Sequence, residues 1–110
     1  MLQLCIFKEN VMKHNFTEEY KDIIVPIIIK YLPDAKIILY GSRARGDCRE
    51  GSDIDIALDM GHKIDSLVMS NINGDLEDSR LPINFDIVDF RMISERMQQR
   101  ILGDGVIWKE

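Results

Sequence analysis

One stretch of the chain, Lys36 to Leu58, constrains the fold more than any other part of the 110 residues. It reads KIILYGSRARGDCREGSDIDIAL: an apolar run, a Gly-Ser pair, a polar loop and a run in which apolar and polar residues alternate. Ile37-Ile38-Leu39 is too short for a helix, so it predicts a strand that is buried on both faces. Ser52 to Leu58 has the period of two that indicates a strand with one buried face.

Asp53 and Asp55 are the acidic residues of this second strand. Because they are two positions apart, their side chains share a face of the strand, about 6.5–7 Å apart along it. Such a pair can hold two Mg²⁺ ions about 3.5–4 Å apart, since Mg²⁺ prefers oxygen ligands and shares them with substrate phosphates. The alternative is a solvated strand edge, although aspartate is a poor strand former.

A third carboxylate is expected from the predicted strand Ile83 to Phe90. Its alternation groups Asn84, Asp86 and Val88 on one face, and Phe85, Ile87 and Asp89 on the other. Asp86 is the preferred candidate because it shares a face with polar Asn84, and Asp89 is the alternative. From a neighbouring strand, about 4.8 Å away, such a carboxylate would complete the metal site.

The Gly41-Ser42 pair predicts a turn that can hold an anion. Glycine lets the backbone approach a ligand closely, and the serine hydroxyl can donate to a phosphate oxygen. The alternative is an ordinary turn with Ser42 as the N-cap of the next helix. A P-loop is excluded, because Asp47-Cys48 stands after Gly46 where Lys-Ser or Lys-Thr is required.

Arg43 and Arg45 follow the turn, in the predicted short helix. If they face the site they would bind a triphosphate in bidentate geometry, and otherwise they are solvated surface charges. His14 and His62 are expected to be exposed, because no metal-ligand spacing surrounds either. Cys48 lies in the polar loop without a neighbouring base, so it is not expected to be a nucleophile.

The rest of the chain predicts a small mixed sheet flanked by helices, an α+β domain. Thr17 to Leu32 predicts a helix with Thr17 as its N-cap, and a second helix runs from Ile64 to about Arg80. Ser94 to Leu102 predicts a last helix, closed by Gly103, and Val106 to Trp108 an edge strand. The expected apolar face of the first helix is Tyr20, Ile23, Ile24, Ile27, Ile28 and Tyr31. That of the second helix is Ile64, Leu67, Val68, Ile72 and Leu76. We expect one domain over residues 17–110, after an N-terminal extension (1–16) in which only Leu2 to Phe7 suggests a strand.

The chain is acidic, with 19 Asp and Glu against 14 Lys and Arg and a net charge of −5. Binding to long nucleic acids is therefore not expected, because neutralising phosphates dominates that affinity. No apolar run approaches the roughly 20 residues of a membrane span, and the N-terminus lacks a signal-peptide pattern. Cys5 and Cys48 are too few for a disulfide framework, so a cytoplasmic location is expected.

Gly41-Ser42, ten residues, then Asp53-Ile54-Asp55 resembles the signature of the minimal nucleotidyltransferases, a family of the DNA polymerase β-like superfamily. Their pattern, a hydrophobic strand followed by G-S-x10-D-x-D, often FGSRARG…SDIDL, stands here as YGSRARGDCREGSDIDIAL, with Tyr40 as the visible change. The segment from Leu81 to Asp89 resembles the one that carries the third carboxylate of the family. The resemblance covers roughly residues 17–108.

This resemblance implies the polymerase β-like nucleotidyltransferase fold and the transfer of AMP from ATP to a hydroxyl, with release of pyrophosphate. It implies that Gly41 and Ser42 hold the outgoing phosphates, that Asp53 and Asp55 bind two Mg²⁺ ions, and that Asp86 shares one and helps deprotonate the acceptor. Small members, the MntA-type antitoxins, are paired with a HEPN-domain RNase toxin and add AMP to a toxin tyrosine. We therefore expect a hetero-complex or oligomer, in which a partner supplies the acceptor.

Two other functions stay open at this point. The chain could be an inactive binding module that neutralises its partner by steric contact. It could also transfer AMP to a small molecule, which is disfavoured because the chain has no room for an acceptor-binding domain.

Overall fold

The computed structural model describes residues 11–46 and 53–110, with the side chains of 17–46 and 53–110. The helices are α1 (Val11–Tyr31), α2 (Ser42–Arg45), α3 (Ser66–Asp78) and α4 (Glu95–Asp104), with a 3₁₀ turn at Phe90–Met92. The strands are β1 (Lys36–Tyr40), β2 (Ile54–Asp59), β3 (Phe85–Asp89) and β4 (Val106–Lys109). The possible strand Leu2 to Phe7, residues 47–51 of the predicted loop and Ser52, the predicted start of the second strand, lie outside the described residues.

The four strands form one mixed sheet in the order β3-β2-β1-β4. β1 is antiparallel to both β2 and β4, whereas β2 and β3 are parallel. A parallel neighbour requires a crossover connection, and α3 lies between β2 and β3 in the chain. This architecture confirms the predicted α+β class with a small mixed sheet flanked by helices, and β4 is the expected edge strand.

The sheet is covered on both faces, which explains why β1 is apolar and buried from Ile37 to Tyr40. One face packs against α1 and α3, and the core there includes Ile24, Ile28, Ile37, Leu39, Ile54, Ile56, Leu58, Ile72, Leu76 and Trp108. The opposite face packs against α4 and the 3₁₀ turn, in a smaller cluster of Ile38, Tyr40, Ala57, Phe90 and Ile101. Alternate residues of β1 enter the two clusters, as expected for a strand buried on both faces.

Helix α1 begins at Val11, six residues before the predicted start at Thr17. Thr17 is therefore inside the helix rather than at its N-cap, and its buried side chain accepts a hydrogen bond from Arg43. The buried side of the helix is centred on Ile24 and Ile28, and Ile23 is 41% exposed, contrary to the predicted apolar face. Ile23 lies at the margin because successive helical residues are about 100° apart around the axis.

Helix α3 begins at Ser66, with Asp65 as the N-cap whose carboxylate accepts from the Leu67 N–H. Ile64 is buried but precedes the helix, and Leu67 in the first turn is 67% exposed. The positions of Ile64 and Leu67 both differ from the prediction. Of the predicted apolar face, only Ile72 and Leu76 are buried within the helix. Val68 and Met69, in the first half of α3, are partly buried and pack against the same core.

Helix α4 starts as predicted, with Ser94 as an N-cap that accepts from the Met97 N–H. It continues through Gly103 to Asp104, so Gly103 does not close it. Gly105 follows, where an added Cβ would press on the Ile38 side chain and lie 3.3 Å from the Leu39 carbonyl oxygen. The close approach to β1 therefore requires glycine at position 105 and fixes the end of α4 over the sheet.

None of the helices within residues 11–46 and 53–110 has the length and apolar character needed to cross a bilayer.

Candidate active site

Three residues of the sheet lie in one row across β1, β2 and β3. Tyr40 is paired with Asp55, and Asp55 is paired with Asp86. Directly opposed residues point to the same face, and adjacent strands are about 4.8 Å apart. Asp55 and Asp86 are thus neighbours on the face that α4 partly covers, beyond the end of its apolar cluster. The register places the two carboxylates together as the alternation predicted.

Asp53 lies immediately before β2, two positions from Asp55, and is exposed. Asp86 is also exposed, whereas Asp55 is half-buried. Burial raises the pKa of Asp55, and the negative charges of Asp86 and Asp53 raise it further, while Arg45 opposes the rise. Both of the other carboxylates therefore act electrostatically on Asp55.

Asp89, the alternative third carboxylate, lies elsewhere. It is paired with Leu58, so it belongs to the face opposite Asp86. Its two oxygens accept hydrogen bonds from the backbone N–H groups of Ile64 at 2.8 Å and Arg91 at 3.1 Å. Asp89 therefore fixes the chain before α3 and after β3, and the structure does not bring it to the other acids.

Gly41 is required by its backbone conformation and by its neighbour. Its φ of 78° lies in the region that favours glycine, and an added Cβ would overlap the Asp55 carboxylate. Gly41 itself is the N-cap of α2, without a side-chain capping bond, which rules out the alternative of Ser42 as N-cap. Ser42, the first residue of α2, lies half-buried directly after this contact.

The two arginines of α2 lie in different directions. Arg45 lines a cavity together with Gly41 and Asp55, and its charge acts on Asp55. Arg43 instead donates from Nη1 to the Thr17 hydroxyl at 2.8 Å and lies over the Tyr20 ring, 5.7 Å from its centroid. Arg43 therefore binds α2 to α1, and the structure does not bring it to the carboxylates.

The cavity beside Asp55 has a volume of about 200 Å³ and lies between the sheet and α4. Its lining is Tyr40, Gly41, Arg45, Asp55, Met97, Arg100, Ile101 and Asp104. Burial raises the pKa of Tyr40 to about 12, together with the charges of Asp86 and Asp55, so its hydroxyl stays protonated. The four residues from α4 were not predicted, although their spacing at i, i+3, i+4 and i+7 marks one helix face.

His62 is exposed, as expected, and its Nδ1 lies 2.9 Å from the Lys63 carbonyl oxygen. The side chain of His14 and all of Cys5, Asp47 and Cys48 lie outside the described residues, so their predicted roles stay predictions.

The chemistry of the donor set fits divalent cations of the Mg²⁺ type, which take carboxylate oxygens. Burial is the main cause of the raised pKa of Asp55 and the charges of Asp86 and Asp53 add to it, so a cation beside these carboxylates would lower the pKa. Among the residues that the structure describes, no three His, Cys, Asp or Glu side chains are gathered closely enough to form a ready-made metal site. Asp53, Asp55 and Asp86 would hold such a metal together with further ligands, such as phosphate oxygens.

Comparisons with known proteins identify relatives of this chain. A protein from Haemophilus influenzae, named as the protein adenylyltransferase MntA, is 28% identical over 88 residues, which are 80% of this chain and 77% of the relative. A solved toxin–antitoxin structure with AMP-PNP has a TM-score of 0.69 and 26% identity, over 80% of this chain and 71% of its own. A structure of a tri-AMPylated HEPN toxin with an MNT antitoxin from Shewanella oneidensis has a TM-score of 0.65 over 83% of this chain and 70% of its own, and at 23% identity it shows the fold alone.

The family model described as polymerase beta, nucleotidyltransferase matches residues 22–110. This range contains the row from Tyr40 to Asp86, the Gly41-Ser42 turn and all of α4. The chain therefore belongs to the polymerase beta nucleotidyltransferase family, and it is a nucleotidyltransferase enzyme.

Proposed function

We propose that this enzyme transfers AMP from ATP to a hydroxyl group of a partner protein, in a reaction that depends on Mg²⁺. The acceptor that fits best is a tyrosine of a HEPN-type toxin, which gives the chain the role of an antitoxin. The observation that carries the proposal is the register that sets Asp55 beside Asp86, with Gly41 against the Asp55 carboxylate. This arrangement joins an acidic pair to a turn that admits phosphate.

The phosphate side of the site is formed by the turn after β1. Gly41 leaves the backbone open to close approach, and the hydroxyl of Ser42 can donate to a phosphate oxygen. Arg45 lines the adjoining cavity and can pair with phosphate oxygens through its guanidinium. We assign these residues to the β- and γ-phosphates, which leave together as pyrophosphate.

The carboxylate side of the site holds the metal and the acceptor. Asp53, Asp55 and Asp86 would hold two Mg²⁺ ions, which supply charge neutralisation for the phosphates and lower the pKa of the acceptor hydroxyl. Asp86 is exposed on β3, beside Asp55, and is not among the residues that line the cavity with Gly41 and Arg45. Its position suits an acceptor that approaches from the side opposite the leaving group.

The reaction balances with these groups alone. The acceptor oxygen forms a bond to the α-phosphorus, and the bond from that phosphorus to the bridging oxygen breaks. Pyrophosphate takes the electron pair, and a carboxylate oxygen of Asp86 accepts the hydroxyl proton. Transfer of this kind relies on positioning and electrostatics, which matches a site built from carboxylates and donors.

A protein acceptor is supported by the relatives and by the charge of the chain. The similar structures are described as toxin–antitoxin complexes, one of them with an AMPylated HEPN toxin. The net charge of −5 suits a basic partner rather than a nucleic acid. We therefore propose a hetero-complex in which the partner presents its hydroxyl to Asp86.

The test uses labelled ATP, Mg²⁺ and the product of the neighbouring gene as the candidate partner protein. The wild type is expected to label that protein, whereas Asp55→Asn and Asp86→Asn are expected to lower the rate by at least about 100-fold. Asp78→Asn, at the exposed end of α3, removes an equal charge away from the site and should keep the activity. Failure of the wild type to label its partner would contradict the proposal. If toxin inhibition also survives Asp55→Asn, the chain is a steric binding module.

A further inference from the structure

Arg100 and Arg45 both line the cavity beside Asp55. Both line the same space of about 200 Å³, Arg45 from α2 and Arg100 from α4. Pockets that enclose a drug-sized molecule have volumes of roughly 300–1,000 Å³, so this open cavity holds only part of a nucleotide. Two arginines from different elements therefore border one cavity, next to the turn at Gly41.

Arg100 has no hydrogen bond or ion pair with any residue that the structure describes. By contrast, Arg91 binds the Asp59 carboxylate through two nitrogens, at 2.8 Å and 3.2 Å. Asp104 also lines the cavity, one helical turn after Arg100, but the two side chains are not within salt-bridge distance. The guanidinium of Arg100 therefore keeps its donors available to a ligand in the cavity.

The polypeptide fixes the position of Arg100 firmly. Ile101, its neighbour, is fully buried against Ile38 and Ala57, and Gly105 brings the end of α4 close to β1. Met97, one turn earlier, packs against the same cluster. Because these buried residues fix α4 against the sheet, they also fix Arg100 at the edge of the cavity.

We propose that Arg100 binds the β- and γ-phosphates of the nucleotide, opposite Arg45, and so selects triphosphates over monophosphates. This inference rests on the proposed function and adds α4 as a second wall of the phosphate site. A planar guanidinium pairs with two phosphate oxygens at once, which makes Arg better suited than Lys to such a position. The leaving pyrophosphate would be held between the two arginines.

The experiment measures binding by calorimetry, with Mg²⁺ present and no acceptor. The probes are α,β-methylene ATP, in which the bond that breaks is blocked, and AMP. Arg100→Gln is expected to weaken binding of the ATP analogue by about tenfold and to leave AMP binding within about twofold. Arg100→Lys keeps the charge and should recover part of the lost affinity. Arg96→Gln, the control, changes the same charge on an exposed residue of α4 outside the cavity.

The outcomes separate this inference from the proposed function. If wild type binds the ATP analogue and labels its partner, but Arg100→Gln binds both probes as well as Arg96→Gln does, the role of Arg100 is contradicted. An equal loss of AMP and ATP-analogue binding in Arg100→Gln would also contradict it, because Arg100 would then contact the nucleoside or α-phosphate. If the wild type neither binds nucleotide nor labels its partner, the proposed function itself fails. Thermal unfolding of each variant shows whether the fold is intact.

Discussion

The carboxylate of Asp55 lies in the space that a side chain at Gly41 would occupy. A Cβ at position 41 would also lie 3.2 Å from the Asp55 Cγ. Two residues that are 14 positions apart in the chain thus meet where β1 ends and β2 begins, because the two strands are antiparallel neighbours. The contact links the phosphate turn to the acidic pair, and it makes the geometry of one depend on the other.

Replacing Gly41 by Ala should disturb both the phosphate turn and the acidic pair. The φ of 78° and the overlap with Asp55 predict a loss of about 1–3 kcal/mol in the free energy of unfolding. Displacement of Asp55 should also lower the rate of nucleotide transfer. Denaturant unfolding and a transfer assay measure the two effects.

Gly74→Ala is the matched control for this substitution. Gly74 lies inside α3, and nothing lies within 4 Å of an added Cβ. Alanine should stabilise the helix there by up to about 1 kcal/mol. Equal stability of Gly41→Ala and wild type would show that the close contact with Asp55 is not needed.

Substitutions of the two arginines of α2 should have different effects on stability and on nucleotide affinity. Arg43 binds Thr17 and lies over Tyr20, so Arg43→Ala is expected to lower stability by about 1 kcal/mol and to change nucleotide affinity little. Arg45 lines the cavity, so Arg45→Ala is expected to weaken ATP-analogue binding by about tenfold. Unfolding curves and calorimetry on both variants test this division. A larger loss of affinity in Arg43→Ala than in Arg45→Ala would overturn it.

Because of Asp59, the stability of the protein should depend on pH in the acid range. Burial acts to raise its pKa, but hydrogen bonds from Arg91 and the Gly61 N–H and the charges of Arg91 and Lys36 outweigh it, so the pKa is lowered. A carboxyl whose pKa is lowered in the folded state stabilises the protein at pH values above its pKa in the unfolded state, which is 3.8. That contribution is lost as the pH falls below about 4 and through the folded-state pKa.

Asp59→Asn should therefore be less stable than wild type at pH 7, by about 1 kcal/mol, and the gap should be smaller at pH 3. Denaturant unfolding at both pH values measures the gap. Asp34→Asn, at an exposed site after α1, provides the control with the same change of charge. A gap that stays constant from pH 7 to pH 3 would show that the carboxylate charge is not responsible.

The carboxylates were accessible to prediction because a strand has a fixed period of two. Alternation alone put Asp86 on the face of Asn84 and Asp89 on the other, and the parallel register then sets Asp86 against Asp55. Apolar residues at Ile54, Ile56 and Leu58 fixed which side of β2 enters the core. Such local patterns need no knowledge of how the helices pack.

Helix faces were harder to predict because packing decides them. Ile23 in α1 and Leu67 in α3 fit apolar helical patterns, yet both side chains are exposed. The direction of Arg43 depends on Thr17, 26 positions away, and α1 extends through that residue. Arg100 depends on how the end of α4 lies over β1, which no local pattern in the sequence specifies.

The central claim is that Asp86 completes a site that transfers AMP to a partner hydroxyl. The most direct measurement is mass spectrometry of the HEPN-type partner after incubation with ATP, Mg²⁺ and either wild type or Asp86→Asn. The account predicts an AMP group on a partner tyrosine with wild type and none with Asp86→Asn. Modification by Asp86→Asn at the wild-type rate, or an unmodified partner with wild type, would contradict it.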